Sequence, residues 1–169
     1  RRPTILQLNI EGLTASKMNV LHYLALQSEA LVILLQETHC SSTDKLVVPH
    51  FQLAGSFLSR KHGLSSFVHE QLNWTLFDQS PPTLETEWLR VDVDGYKIVN
   101  IYKPPPTLLQ ASDLPVFPTP VFMRVTSIAC MSTGGTAETA QMENALFLGQ
   151  MLTILPFSIT QRMNLAFIL

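Results

Sequence analysis

LVILLQETH, residues 31–39, is the stretch whose reading decides the fold. Positions 31 to 36 carry no charge and are almost wholly apolar, which is the pattern of a short strand buried on both faces. The run then ends abruptly in Gln36, Glu37, Thr38 and His39. A carboxylate and an imidazole therefore stand where a core strand leaves its sheet. In α/β proteins ligands bind beyond the carboxyl ends of strands, and Glu37 has that position. From this stretch alone a solvated strand-end acid is the better reading, since single strand-end acids are common.

Upstream, TILQLNI at 4–10 reads as a partly alternating strand, with Gln7 and Asn9 between Leu6, Leu8 and Ile10. Glu11-Gly12 breaks it. A helix is expected from a cap at Ser16 through Ser28, with Val20, Leu21, Leu24 and Ala25 on its apolar face. Strand, helix and buried strand make an opening βαβ-like unit. Asn9 and Glu37 then end two strands that are natural neighbours. An amide and a carboxylate converging there suit a hard cation and a phosphate, or equally a structural hydrogen-bonded pair.

Downstream, 40–62 reads mostly as loop, and 63–69 and 74–77 as strands. Ser80-Pro81-Pro82 punctuates the chain. EWLRVDV at 87–93 alternates, Asp94-Gly95 is a strong two-residue hairpin signal, and YKIVNIY at 96–102 is the returning strand. Lys103 and three prolines end it, since proline cannot continue a ladder. The expectation is an α/β fold with a mixed sheet and hairpins.

Composition narrows the class without naming a function. The 169 residues are enough for one domain with a sizeable core, and 46% hydrophobic with 14% charged residues is globular. A net charge of −2 does not advertise a nucleic-acid surface, though it leaves room for a local basic patch. Cys40 and Cys130 have no framework or metal-site spacing and read as free thiols. The chain starts at Arg1, with no secretory leader, and reads as a piece of a longer product. The apolar stretch 145–159 falls short of the roughly 20 residues a membrane span needs and contains Pro156, so no membrane partner is expected. Composition changes near Val121: no Lys follows Lys103, no Asp follows Asp113, and five of the six methionines lie at or after Met123.

Three pieces occur in order: LNIEGL at 8–13, LLQETH at 34–39 and VNIYKPPP at 99–106. Together they resemble the endonuclease/exonuclease/phosphatase family, and more narrowly the endonuclease domain of non-LTR (LINE, jockey-type) retrotransposon pol proteins. Between them, HGLSSFVHEQLNW at 62–74 resembles the family's Gly-rich hairpin, with only Gly63 of its usual glycine pair. TEWLRVDVDGYKIVNIY at 86–102 resembles the central hairpin, and LPVFPTPV at 114–121 the lead into the next strand. The resemblance spans 3–121 and implies a truncated half of the family's four-layer α/β sandwich. It implies that Asn9 lies near metal and phosphate, that Glu37 holds a catalytic Mg²⁺ with Asn9 beside it, and that the Tyr102 hydroxyl contacts the phosphate. A hard divalent ion wants oxygen ligands, and a phenol and an amide can donate to developing phosphorane charge. His39 and Asn100 are expected to be structural supports. DNA as partner and action in the nucleus follow from the resemblance alone.

The family's later motifs are missing. Its next strand ends in GDFN, whose Asp orients water, and an Asp-His pair follows further on. Here Val121 is followed by FMRVTSIACMST, and no His follows His69. Reading the third base of each codon with the first two of the next, from Val121 on, the genetic code permits a hydrophobic residue and then YAGDFNC. Further on, it permits HV, then D or N, then WGY, and later SPDGEC. The Met142–Glu143 junction admits only Gly in that register. A one-base deletion near codons 121–122 accounts for this run, and a sequencing slip or a frame-changing splice junction would look the same. Residues 122–169 are then expected to be an out-of-frame, poorly ordered tail. Half a sheet should also leave an open edge and a poorly soluble chain.

Three functions are compatible with these residues. The first is a Mg²⁺-dependent DNA endonuclease by descent, nicking target DNA for retrotransposition and inactive as this truncated chain. The second is a non-catalytic nucleic-acid or protein binding remnant, with Arg60, Lys61, His62 and Lys103 as a thin basic patch. The third is a related phosphatase or abasic-site nuclease, against which the Lys-Pro-Pro after Tyr102 and the FPTPV run argue.

Overall fold

The structure, a computed structural model, describes residues 3–104, 111–113 and 115, and beyond them the strand segments 122–125, 128–130, 138–140, 145–146 and 163–168. It is a mixed α/β fold. The opening unit is β1 (Ile5–Asn9), α1 (Ala15–Gln27) and β2 (Val32–Gln36), followed by β3 (Phe51–Phe57), β4 (Leu64–His69), β5 (Trp74–Gln79), β6 (Glu87–Val93) and β7 (Tyr96–Lys103). The first sheet has the order β1-β2-β4-β3, with β1 parallel to β2 and the other pairs antiparallel. In the second sheet β5, β6 and β7 are consecutive antiparallel neighbours.

Every residue of β2 is buried, as its apolar run requires. Alternation divides its side chains between two cores. Ile33 and Leu35 join Leu21 and Ala25 of the helix and Phe67 of β4 in one cluster. Val32 and Leu34 face the other way and meet Val91, Val93 and Ile98 of the second sheet. The described core therefore stacks helix on sheet on sheet, with β2 in the middle.

Three local expectations are corrected. The helix begins earlier, at a Thr14 cap whose hydroxyl accepts from the Lys17 amide, in place of Ser16. Lys17 also donates to the carbonyls of Ile10, Glu11 and Gly12 at 2.6, 2.9 and 3.0 Å, which fixes how the helix leaves the β1 loop. Its buried stripe is Leu21 and Ala25 with Met18 packed alongside, whereas Val20 and Leu24 face outward. Finally, 51–57 is a seven-residue strand where a loop is expected. Its alternation is broken by a register shift between Leu53 and Gly55, and Gly55 is the small residue that lets Leu76 of β5 lie against it.

The Asp94-Gly95 hairpin forms as read. Both residues have positive φ, +48° and +82°, as a type I′ turn demands. Among the described residues, no helix is long and apolar enough to cross a membrane. The expected out-of-frame tail lies mostly outside the described residues, as do 105–110 and 116–121 and the side chain of Cys130. Its described backbone comprises β8 (Phe122–Val125), β9 (Ile128–Cys130), β10 (Glu138–Ala140), β11 (Ala145–Leu146) and β12 (Met163–Ile168). β12 runs antiparallel along β7 from Lys103 to Ile98, so β7 is paired on both sides.

Candidate functional site

The parallel pairing of β1 and β2 sets Asn9 in register with Gln36, so both strands end at the same level. Asn9 shares its strand face with Ile5, which packs into the core between the sheets. Past Gln36 the backbone turns through the left-handed region at Glu37, φ +53°, an uncommon conformation for a residue with a side chain. Backbone bonds hold it there: the Gly12 amide donates to the Glu37 carbonyl at 2.7 Å and the Leu13 amide to the Thr38 carbonyl at 3.0 Å. The Asn9 side-chain oxygen accepts from the Glu11 amide at 3.2 Å, closing a turn over the same loop.

Tyr102 arrives from the other sheet. It faces inward on β7, in phase with Ile98 and Asn100, and is almost completely buried. Its hydroxyl donates to Glu37 Oε1 at 2.6 Å. That short length is typical of a hydroxyl bound to a carboxylate. Two of the three predicted site residues are thus in direct contact across the inter-sheet space, and the third ends the adjoining strand.

Below this contact the sheets are joined by a polar seam. Gln36 Nε2 donates to Asn100 Oδ1 at 2.6 Å, and Asn100 Nδ2 donates to the carbonyls of Leu35 and Ser65, each at 3.2 Å. All are buried, so the seam fixes the height of β7 against β2 and holds Tyr102 in reach of Glu37. Asn100 is therefore the structural support expected of it. His39 is exposed and contributes through its backbone, its amide donating to the His62 carbonyl at 2.7 Å.

A second carboxylate stands at the same end. Glu87, the first residue of β6, lies opposite Tyr102 on the paired strand and is 5% exposed. Its Oε2 accepts from the Gly63 amide at 2.9 Å. The His62 ring rests beside Tyr102, with centroids 5.1 Å apart. A cavity of about 550 Å³ opens here, lined by Ser59, Lys61, His62, Glu85 and Glu87 over an apolar floor that includes Phe57 and Leu84. Of the expected basic patch, Arg60 and Lys61 are exposed. Lys103 is buried: it alternates with Tyr102 and so occupies the opposite face of β7, and burial lowers its pKa.

Burial raises the Glu87 carboxyl to about 7, against the smaller opposing effect of the Gly63 hydrogen bond. The folded chain therefore keeps a proton that the unfolded chain releases near pH 4.5. Its contribution to stability is fully present below that pH and is lost as pH rises through about 7. Denaturant titrations are expected to find the protein less stable at pH 8 than at pH 5 by ~2–3 kcal/mol from this group, reckoned from 1.36 kcal/mol per pKa unit. Glu87→Gln should flatten that slope, and an unchanged slope would assign it to other groups.

The donor set at Glu37 and Asn9 is all oxygen: one carboxylate and one side-chain amide. Among the described residues, no group of three or more His, Cys, Asp or Glu side chains converges to hold a metal. The described residues thus build no all-protein cage there. One or two oxygen donors do suit Mg²⁺, which keeps several waters and takes further ligands from substrate phosphates. No protein-family model matches the chain, and no curated protein matches it.

Proposed function

We propose that this chain carries the metal-side half of a Mg²⁺-dependent DNA endonuclease site of the endonuclease/exonuclease/phosphatase type, of non-LTR retrotransposon descent, and that it does not cut DNA by itself. The observation that carries the reading is the Tyr102–Glu37 hydrogen bond, 2.6 Å across two sheets, with Asn9 at the adjoining strand end. The helix-on-sheet-on-sheet core is compatible with half of the family's four-layer sandwich.

Glu37 would hold the ion, and Asn9 would add an amide oxygen. Bound there, Mg²⁺ would supply Lewis-acid polarisation of a phosphoryl oxygen. Tyr102 orients the Glu37 carboxylate through its hydroxyl; with the carboxylate taken up by the ion, the same single proton would turn to a phosphate oxygen. Lys61 and Arg60 offer backbone contacts to DNA, which would appear as salt-dependent affinity. Nothing after Asp113 supplies an aspartate to orient water, and nothing after His69 supplies a histidine for proton transfer.

The first test is the nucleotide sequence across codons 118–130 in the transcript and the locus. A base missing here and present in sister copies supports the frame-shifted reading. The second is Mg²⁺-dependent nicking of supercoiled plasmid by two chains: the present one, and one with the base restored so that GDFN follows in frame. Nicking is expected only from the restored chain. Equal nicking by both would overturn the half-site reading, and restored activity confined to an abasic-site duplex would favour the abasic-site nuclease. Salt-sensitive DNA binding without nicking by either chain would favour the non-catalytic remnant.

A further inference from the structure

We propose that Glu87 is a positioning residue of this site: its carboxylate holds the Gly63 amide and so seats the 59–63 loop, with Lys61 and His62, against Tyr102 and Glu37. The contacts form a closed ring. Glu87 pairs with Tyr102 across β6 and β7, and Tyr102 bonds Glu37 at 2.6 Å. Thr38, the next residue, donates its amide to the Gly63 carbonyl at 3.1 Å. The Gly63 amide then returns to Glu87 at 2.9 Å.

One residue thus ties both sheets together. Its carbonyl belongs to the first sheet through Thr38, and its amide to the second through Glu87. The His62 carbonyl accepts from the His39 amide at 2.7 Å, which extends the same seam by one residue. His62 is thereby held with its ring beside Tyr102, and Lys61 is left at the rim of the cavity that Glu87 also lines. Without the carboxylate, the buried Gly63 amide loses its acceptor. A buried donor without an acceptor is unfavourable, so the loop would open to water.

What the seated loop touches rests on the endonuclease reading, in which Lys61 meets DNA phosphate; the ring itself does not depend on it. The test is amide hydrogen exchange at Gly63 in the full chain, alongside binding of a short duplex oligonucleotide at two salt concentrations. In Glu87→Ala, Gly63 exchange should rise about tenfold, the equivalent of losing one buried hydrogen bond. Amides of β2 should stay within about twofold. Glu87→Gln keeps an acceptor oxygen and should return Gly63 close to its original protection. Glu87→Asp draws the oxygen back by one methylene, and should release Gly63 even if the alanine variant fails to fold. Oligonucleotide affinity should follow Gly63 protection across the series.

Unchanged Gly63 exchange in both the Ala and Asp variants overturns the proposal. So does uniform acceleration of all amides, which would make Glu87 a residue of global stability. Selective release of Gly63 in a protein that binds no oligonucleotide upholds the positioning role and counts against the endonuclease reading.

Discussion

Glu37→Gln is expected to reduce Mg²⁺-dependent nicking by the frame-restored chain by ~10³-fold or more, with little change in fold. Glutamine keeps the size of the side chain and an oxygen for the Tyr102 hydroxyl to meet. It removes the negative charge, which is what a hard divalent ion requires of its one buried carboxylate ligand. Glu37 is 5% exposed and held at φ +53° by amides from the β1–α1 loop, so its place at the strand end is fixed by the backbone. Tyr102→Phe is the graded companion. It leaves the carboxylate and takes away its orienting hydroxyl, and a loss of ~10²-fold is expected, the scale of one preorganised donor. Initial nicking rates at several Mg²⁺ concentrations check both. Added Mg²⁺ should recover part of the Glu37→Gln loss, because that variant holds the ion more weakly, and should not rescue Tyr102→Phe, which lacks the hydroxyl that meets the phosphate. Parental nicking by the glutamine variant would remove Glu37 from the proposed chemistry.

Much of this arrangement was legible in the sequence because it depends on strand ends. An apolar run that stops at Gln36-Glu37 and a parallel partner that stops at Asn9 align because they pair, and the Gln36–Asn100 and Tyr102–Glu37 bonds bring the Pro-terminated strand of the other sheet to the same level. Other features were hidden because pattern alone is degenerate. The helix carries two apolar pairs at i, i+4 spacing, Val20/Leu24 and Leu21/Ala25, and periodicity does not choose between them. Packing against Ile33, Leu35 and Phe67 makes the choice, and Leu21/Ala25 are buried. β3 was obscured by the bulge at Gly55, which interrupts its alternation for the sake of a neighbour in the other sheet. Glu87 did leave a signal. It is in phase with Leu89, Val91 and Val93, so its strand turns a carboxylate inward with three apolar residues. An acid on the buried phase of a strand needs a donor. That donor, the Gly63 amide, is 24 positions away, a separation that no local pattern encodes.

Gly63→Ala is expected to destabilise the protein by ~3 kcal/mol or more, the combined scale of a forced left-handed conformation and an overpacked contact. The backbone there has φ +94°, which favours glycine over any residue with a Cβ. The space is also closed: an added Cβ would lie 2.7 Å from Thr38 Oγ1, 3.1 Å from the Phe57 carbonyl oxygen and 3.2 Å from the Ser59 carbonyl oxygen. Thr38 could rotate its hydroxyl away, but the two carbonyls are backbone, one at the end of β3 and one in the loop, and neither moves unless that backbone does. Gly95→Ala is the control that separates the two causes. Gly95 has a similar φ of +82° with nothing within 4 Å of an added methyl, so only the conformational cost remains, ~1–2 kcal/mol. Urea midpoints for the two variants should therefore differ, with Gly63→Ala the lower. Equal midpoints would mean that the loop yields freely to the methyl. The consequence reaches the site because Gly63 joins Thr38 to Glu87. A loop displaced to admit a methyl takes His62 off the Tyr102 ring and shifts Lys61, so in the frame-restored chain weaker DNA binding should accompany the loss of stability. In Gly95→Ala, whose turn lies at the other end of β7, DNA binding should be unchanged.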